Sequence, residues 1–381
     1  MKRVNIVVST YPPYGGGMGN VAASQARALS QEGIQVNVYT SAPKPESVEG
    51  GAVKVIYVKT LFRYGNAAII PNFPDLTTGA EIVILNYPFF GGAQGYARRG
   101  VAANQKLVLF YHMDNVGVGW KKLLFKLYHR RYLKPLLDHA HLILVSSVDY
   151  AEHSLLAQYL PSIGGRLREL PLSVNTALFS PGPKPDHLLA EYGFTKDTPV
   201  ALFVGGLDGA HYFKGISVLL KSWQEVVREV PNAKLLLVGD GDRRVRYEAE
   251  AKHLRIADSV GFLGSVSGDM LPEHYRLADV VVLPSIDASE AFGLVLLEAM
   301  ASARATVASH LPGLRRVVRD GETGQLVEPK SVEALSAALI HLLSRPAVAK
   351  RYGERGRIIV EEEYSEPVVR KKLLELLGLV L

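Results

Sequence analysis

Short apolar segments rich in β-branched residues recur along the chain and alternate with longer segments of helical spacing. The first half contains VNIVVS (4–9), VNVYT (36–40), VKVIYV (53–58), EIVILN (81–86), KLVLFYH (106–112) and HLILVSS (141–147). The second half contains PVALFVGGL (199–207), AKLLLVGDG (233–241), VGFLGSV (260–266), ADVVVLPS (278–285) and ATVASH (305–310). Continuously apolar strands separated by helices indicate parallel sheets covered on both faces. The pattern predicts an α/β protein with two doubly wound, Rossmann-like domains in series.

A proline-rich stretch interrupts this alternation near the middle of the 381 residues. Residues 179–185 contain three prolines and a glycine, a composition typical of a linker. We therefore predict one domain over residues 1–180 and a second over 181–365. Open α/β sheets bind ligands beyond the carboxyl ends of their strands, so a cleft between the two domains is the expected ligand site.

Composition excludes several classes of chemistry. The chain has no cysteine, which excludes disulfides, thiolate nucleophiles and cysteine-based metal sites. Its apolar runs are shorter than the ~20 residues of a membrane span, and the apolar stretch before Pro12 is too short for a secretory signal. We expect a cytoplasmic protein.

Residues 1–180 carry 18 Lys and Arg against 10 Asp and Glu, and the remainder carries 25 against 27. The first half should therefore meet an anion: nucleic acid, a lipid headgroup or a phosphorylated substrate.

Glycines at 15, 16, 17 and 19 separate the first strand from a helix. Such glycines let backbone N–H groups approach a phosphate at the positive end of the helix. The second strand ends without the acidic residue that would hold the ribose of a dinucleotide. The loop is therefore either a tight turn or a site for another anion.

The segment from Glu290 to Glu298 follows the strand ADVVVLPS. Along a helix the two carboxylates can be up to ~12 Å apart, which is too far to share a proton but suits the two ends of a long ligand. In a nucleotide sugar, Glu298 would accept hydrogen bonds from ribose hydroxyls and Glu290 would reach the sugar. The diphosphate would meet exposed backbone amides at Phe292, Gly293, Leu294 and Val295.

A third loop, VGGLDGAHYFKG, places Lys214 between a strand and a helix. A lysine there suits a leaving diphosphate, although a lone lysine is more often a solvated surface residue.

Together these motifs resemble glycosyltransferase family 4, retaining enzymes of the GT-B fold that use nucleotide sugars. The resemblance covers nearly the whole chain and includes LPLSVNTALFSP (170–181) and HLPGLRRVVRDGETGQLVEP (310–329). It implies a metal-independent hexosyltransferase with a hydroxyl acceptor, and a terminal helix over 366–381 that returns to the first domain. The donor would be a UDP- or GDP-sugar, and the acceptor a glycan, a glycolipid or a small polyol.

The resemblance also implies residue roles. Lys214, Glu290 and His112 would act at the reacting centre, although without the family a histidine at a strand end is more often structural. Gly16 and Gly17 would present amides to the donor phosphates. Base contacts would come from Phe262, Leu263 and Gly264. No metal ligands are expected, because no DxD motif lies in a plausible site.

At two places the chain departs from the family pattern, which weakens the assignment of the family's residue roles to this sequence. Gly206 stands where the family usually has an arginine, and Leu311, Pro312 and Gly313 replace a glycine pair. Arg243 and Arg244 are candidate substitutes for the arginine, or simply a solvated face. This departure keeps open a non-catalytic nucleotide-sugar or polysaccharide binding protein, and a sugar-nucleotide epimerase or a phosphorylase is a further alternative. A nucleic-acid partner is not expected, since no recognised module accompanies the charge.

Residues 121–134 form a basic segment with apolar residues at helical spacing. Trp120, Leu123, Leu124, Leu127 and Tyr128 share one side of a helical wheel, on which Arg131 and Lys134 also fall. Three interpretations remain open: contact with an anionic membrane surface, ordinary packing with a solvated basic face, and binding of an acceptor phosphate. The first would place the protein on the inner face of the cell membrane.

Overall fold

The computed structural model describes residues 2–13, 16–44, 53–70, 72–114 and 120–378. Contacts divide the chain into two compact units, 1–173 with 366–381, and 174–365. The chain therefore leaves the first unit at Ser173, and the proline-rich stretch at 179–185 belongs to the second unit. Each unit contains one parallel sheet, as the sequence predicts.

Among the described residues of the first unit there are nine strands, seven of which form its sheet. Their bounds are β1 (Arg3–Val8), β2 (Gln35–Thr40), β3 (Val53–Tyr57), β4 (Phe62–Tyr64), β5 (Ala67–Ile69), β6 (Ile82–Tyr87), β7 (Lys106–Tyr111), β8 (Leu142–Val145) and β9 (Leu167–Glu169). The sheet order is β3-β2-β1-β6-β7-β8-β9, with every pair parallel. All six predicted strands are present. The antiparallel hairpin of β4 and β5 and the edge strand β9 were not predicted, since each has only three residues.

The helices of this unit before residue 174 alternate with its strands along the chain. They are α1 (Gly17–Gln31), α2 (Phe73–Leu76), α3 (Ala93–Arg99), α4 (Trp120–His139), α5 (Val148–Glu152) and α6 (Leu160–Ile163). Buried residues of α1, such as Ala22 and Leu29, pack against Ile6 and Val38 of the sheet. This apolar contact holds the start of α1 beside the carboxyl end of β1.

The second unit has a six-stranded parallel sheet in the order β12-β11-β10-β13-β14-β15. Its strands are β10 (Val200–Val204), β11 (Lys234–Val238), β12 (Val260–Gly264), β13 (Val280–Leu283), β14 (Ala305–Ser309) and β15 (Gly324–Val327). Its helices are α7 (Asp186–Tyr192), α8 (Ile216–Glu229), α9 (Arg244–His253), α10 (Leu271–Leu277), α11 (Leu294–Ala301), α12 (Leu314–Val317), α13 (Val332–Leu343) and α14 (Pro346–Ile359). All five predicted strands are present, and β15 is an addition.

The last helix, α15 (Glu366–Gly378), returns to the first unit and packs against α1. Its buried face consists of Val369, Leu373, Leu376 and Leu377, which join the same apolar core as Leu29. A sequence-distant helix thus completes the core beneath the glycine loop. Residues 379–381 of the predicted returning helix lie outside the described part of the chain.

Strand order reverses at one point in each sheet, beside β1 in the first unit and beside β10 in the second. Loops that leave the carboxyl ends of the strands on either side of such a point diverge and leave a crevice, where open α/β sheets bind ligands. In the second unit the crevice lies between the loops that follow β10 and β13. The sequence places Lys214 and Glu290 on those two loops.

Leu373→Ala is expected to lower the free energy of unfolding by about 2–5 kcal/mol, because it removes a fully buried side chain from the packed contact of α15 with α1. Urea titration followed by circular dichroism measures the change. Lys371→Ala, on the exposed side of the same helix, is the matched control. Equal unfolding curves for the two variants would contradict the assignment of α15 to this core.

Candidate active site

The loop that follows β10 approaches β13 through a glycine. Gly215 has a φ of +73°, and a Cβ at this position would lie 2.0 Å from the carbonyl oxygen of Pro284. No side chain fits that gap. Gly215 therefore lets the end of the β10 loop, with Lys214, lie directly against the residues that follow β13.

Lys214 and Glu290 form a partly enclosed ion pair. Lys214 Nζ donates a hydrogen bond to Glu290 Oε2 at 2.6 Å, and the two side chains are only 12% and 11% exposed. Ser285 Oγ donates a second hydrogen bond, of 3.2 Å, to the same carboxylate oxygen. The structure thus brings together two residues that are 76 positions apart in the sequence.

Glu298 lies on α11 near the same lysine, with its carboxylate inside the protein. Tyr275 donates a hydrogen bond of 2.6 Å from its hydroxyl to Glu298 Oε2. Burial raises the pKa of Glu298 to about 7, while Tyr275 and the charge of Lys214 act in the opposite direction. Sequence reasoning missed Tyr275, because no motif connects a tyrosine on α10 with this glutamate.

Helix α11 begins with backbone N–H groups that no side chain caps. Gly293 precedes it with a φ of +77°, no side chain caps the helix, and its first turn has no acidic residue. The amides of Leu294 and Val295 belong to this first turn, and both residues are partly buried. Phe292 is buried with its ring edge-on against Tyr364. Its ring therefore packs in the core, and only its backbone is available to a ligand.

The predicted base contacts lie on the edge strand β12. Phe262 and Leu263 are partly buried, and Gly264 is buried with a φ of +72°. The Phe262 carbonyl accepts a hydrogen bond of 2.8 Å from Arg244. Arg244 also pairs with Glu248 at 2.8 Å and with Asp240 at 3.6 Å, so its guanidinium is already engaged within the loop and helix that follow β11.

In the first unit, Gly16 and Gly17 stand at the start of α1 as predicted, and no side chain caps this helix. A Cβ on Gly17 would meet no atom within 4 Å, so packing does not require glycine there. Gly19 is different, since its Cβ would lie 3.0 Å from the Thr10 carbonyl oxygen. The close approach of α1 to β1 therefore depends on Gly19. Gly15 lies outside the described residues.

His112 follows β7 and is a buried, neutral side chain. Its Nε2 forms a hydrogen bond of 2.7 Å with Asn86 Oδ1, and its ring stacks on Phe110 at 4.2 Å. Burial lowers the pKa of His112 to about 3, so the imidazole stays uncharged at neutral pH. Asn86, at the end of the neighbouring strand, is a second polar residue that sequence reasoning missed. The polar end of EIVILN was its only signal.

Across the described part of the chain, no three or more His, Asp or Glu side chains are grouped so that they could hold a metal ion. Within the same residues no single helix is long and apolar enough to cross a membrane. One bent pair of helical segments, Val332–Leu343 with Pro346–Tyr364, has the required length and composition.

Glu298→Gln is expected to change how stability depends on pH. A carboxyl group whose pKa is about 7 when folded and about 4.5 when unfolded favours the folded protein less as pH rises through that interval. The wild-type protein should therefore lose about 3 kcal/mol between pH 4.5 and pH 8 that the glutamine variant does not lose. Urea unfolding at several pH values measures this difference. Glu229→Gln, which changes an exposed glutamate on α8, is the control, and parallel curves for wild type and Glu298→Gln would contradict the assigned environment.

Comparison with known families matches both units. The sequence model described as Glycosyltransferase Family 4 matches residues 15–176, and that described as Glycosyl transferases group 1 matches residues 186–358. A phosphatidyl-myo-inositol mannosyltransferase of Mycobacterium tuberculosis is 34% identical over 220 residues, which cover 56% of this chain and 54% of that protein. The matched part thus spans about half the length of the first curated relatives. A D-inositol 3-phosphate glycosyltransferase of Corynebacterium glutamicum is 28% identical over 89% of this chain and 86% of its own length.

Solved structures match the whole chain. A sucrose-phosphate synthase from Thermosynechococcus elongatus superposes with a TM-score of 0.81 at 24% identity, covering 100% of this chain and 99% of that one. HepE from Anabaena, solved in complex with UDP and glucose, superposes with a TM-score of 0.76 at 16% identity, covering 99% of both chains. At these identities the likeness establishes the fold, which is GT-B.

Proposed function

Because the chain belongs to glycosyltransferase family 4, we propose that it transfers a hexose from a nucleoside diphosphate sugar to a hydroxyl acceptor, with retention at the anomeric carbon. The observation that carries the proposal is the convergence of Lys214, Glu290 and Glu298 beside the strand-order reversal of the second unit. A cation and two carboxylates there match a diphosphate and two sets of hydroxyl groups.

Each group has a chemical task toward the donor. The Lys214 ammonium neutralises the diphosphate, which gains charge as it leaves. Glu290, at the opposite end of the ion pair, accepts hydrogen bonds from hydroxyls of the transferred sugar. Glu298 accepts hydrogen bonds from the ribose, and the free amides of Leu294 and Val295 at the start of α11 face the phosphates. No metal is needed for these contacts in our proposal.

The reaction breaks the bond between the anomeric carbon and the diphosphate oxygen, and forms a bond from the acceptor oxygen on the same face of the sugar. The acceptor proton passes to the leaving phosphate, so the step needs no separate base. His112 is not a charged acid in this step, because burial lowers the pKa of its imidazole to about 3. In this proposal His112 positions sugar hydroxyls as a neutral hydrogen-bonding group, with Asn86 holding its ring.

The names of the similar proteins support an anionic or lipid-linked polyol as acceptor. One is a phosphatidyl-myo-inositol mannosyltransferase and another a D-inositol 3-phosphate glycosyltransferase. The excess of 18 basic over 10 acidic residues in positions 1–180 favours such a substrate for this chain. We expect UDP or GDP as the nucleotide of the donor.

Lys214→Ala is expected to weaken nucleoside diphosphate binding by about 10- to 100-fold, since a charge-assisted hydrogen bond contributes about 1.5–3 kcal/mol. Combining it with Glu290→Gln avoids a buried unpaired carboxylate. Calorimetry with UDP and with GDP measures the dissociation constant. Lys221→Ala, an exposed lysine on α8, is the control. Unchanged affinity in the Lys214 variants would contradict the site, whereas tight nucleotide binding without turnover would favour the alternative of a non-catalytic binding protein.

Helix α4 favours membrane contact among the three interpretations of the basic segment. Its side chains Leu123, Leu124 and Leu127 are 62%, 52% and 55% exposed, so these leucines are not the packing face. The predicted grouping of Tyr128 with them is wrong, because Tyr128 packs on Phe90 with ring centroids 4.4 Å apart. The same exposed side of the helix carries cations at Lys126, Arg130, Arg131 and Lys134. Side chains at 120–122 are outside the described structure.

A short hairpin extends this apolar surface. The hairpin exposes Phe62, Tyr64 and Ile69, together with Leu61 just before β4, and Ala68 N donates a hydrogen bond of 2.8 Å to the Phe90 carbonyl. Phe90 thus contacts both α4 and the hairpin. Apolar side chains surrounded by cations match an interface with anionic lipid, where the leucines enter the headgroup region and the cations bind phosphates.

Leu123→Glu with Leu127→Glu is expected to reduce binding to vesicles of phosphatidylglycerol and phosphatidylcholine at least tenfold. It removes two apolar side chains from the proposed contact with lipid and adds two negative charges, which the anionic headgroups repel. Vesicle cosedimentation at low and high salt measures the effect. Leu178→Glu, a similarly exposed leucine of the second unit, is the control. Vesicle binding that is equal for both variants, or absent in the wild type, would contradict the membrane proposal.

A further inference from the structure

An imidazole fills the space that a side chain at position 206 would enter. A Cβ on Gly206 would lie 2.7 Å from His211 Nδ1 and 3.0 Å from Asp208 Oδ2. The first distance is shorter than real Cβ contacts allow, and the second is tighter than most of them. Gly206 is therefore the residue that permits the pair of Asp208 and His211 to lie against the end of β10.

We propose that His211, positioned by Asp208, is the second cationic contact for the donor diphosphate, beside Lys214. This inference rests on the proposed function and names a further donor-binding residue. It assigns to a histidine the charge that the chain lacks at Gly206.

Asp208 holds the ring in a defined orientation. Asp208 Oδ2 accepts a hydrogen bond of 2.7 Å from His211 Nδ1, and its Oδ1 accepts hydrogen bonds of 2.7 Å from the Ala210 amide and 3.1 Å from the His211 amide. Burial raises the pKa of Asp208, but the bonds from His211 and the two amides outweigh it and leave that pKa below its ordinary value. Since Nδ1 is used by the carboxylate, Nε2 is the nitrogen left for a ligand, and it has no hydrogen-bond partner among the described residues.

The ring shares its loop with the lysine of the site. A Cβ on Gly205 would lie 3.5 Å from Lys214 Cε, just as one on Gly206 would meet His211. Both side chains also lie near Phe213, with the His211 ring centroid 5.9 Å and Lys214 Nζ 5.6 Å from the Phe213 ring. His211 and Lys214 therefore flank the two glycines that follow β10, at the strand-order reversal where the ligand is expected.

A protonated imidazole suits this position. His211 is 46% exposed, so a ligand can reach its ring, and the Nε2–H of a charged imidazole donates a charge-assisted hydrogen bond to a phosphate oxygen. Because the diphosphate favours the charged ring, binding and protonation favour each other. Nucleotide affinity should therefore rise as pH falls.

Other charged groups face the same loop. Asp242 accepts a hydrogen bond of 2.7 Å from the Gly209 amide, and Arg243 lies beside the same glycine. Lys214 and Glu290 lie at the end of the loop, and Asp287 contacts Tyr212 within it. Glu298, on α11, also titrates near neutral pH, as does the terminal phosphate of a free nucleoside diphosphate. The test must therefore compare variants at each pH, so that these contributions cancel.

The experiment measures dissociation constants of UDP and GDP by calorimetry at pH 5.5, 6.5 and 8.0. Between pH 8.0 and 5.5, wild-type affinity is expected to rise about five- to tenfold more than that of His211→Gln, which keeps a side-chain hydrogen-bond donor but cannot be charged. Gly206→Ala should also weaken binding at pH 5.5, because its methyl displaces the ring. Gly268→Ala, where a Cβ meets no atom within 4 Å, is the matched control.

A rescue variant separates charge from structure. Gly206→Arg combined with His211→Ala places a permanent cation in the vacated space, and should restore affinity without the additional pH dependence of the wild type. Equal pH dependence in wild type and His211→Gln would overturn this inference alone and leave the proposed donor site standing. Absence of UDP and GDP binding to the wild type at millimolar concentration would overturn both.

Discussion

The ion pair of Lys214 and Glu290 is the interaction around which the candidate site is built. Its partners come from the loops that follow β10 and β13, the two strands on either side of the reversal in strand order. Their contact depends on Gly215, since a side chain there would collide with the Pro284 carbonyl. The Lys214 ammonium and the Glu290 carboxylate are nearly enclosed, and removing either would leave the other as an unpaired buried charge, which is strongly destabilising. The pair therefore holds the two loops together in the absence of a ligand.

The pair also explains the electrostatics of its surroundings. Glu298 is partly buried with Tyr275 as its hydrogen-bond donor, and the charge of Lys214 limits how far its pKa rises. A phosphate that binds Lys214 would compete with Glu290 and alter the field at Glu298. In the proposed site, donor binding would therefore act on these three ionisable groups, and His211 would be a fourth beside Lys214 on the same loop.

Several residues of the candidate site could be read from the sequence because their signal is local. Lys214, Glu290 and Glu298 each follow an apolar strand at a short distance, and parallel strands place their carboxyl ends at one edge of a sheet. Tyr275, Asn86 and the pair of Asp208 and His211 were not foreseen as partners. Tyr275 acts from another helix, and Asn86 reaches His112 across two adjacent strands. On α4 the helical wheel grouped Tyr128 with exposed leucines, since periodicity describes a face of a helix but does not show which face meets the core.

The sequence by itself determined the α/β class, all of the predicted strands, the GT-B resemblance and the positions of the charged loops. Those properties follow from the hydrophobic period and from turn residues, which act over a few neighbouring positions. Only the tertiary structure decided which charges are paired, which side of α4 is exposed and which histidine is neutral. Pairing, exposure and pKa depend on residues far apart in the chain that come within a few ångströms only when the sheets and helices pack.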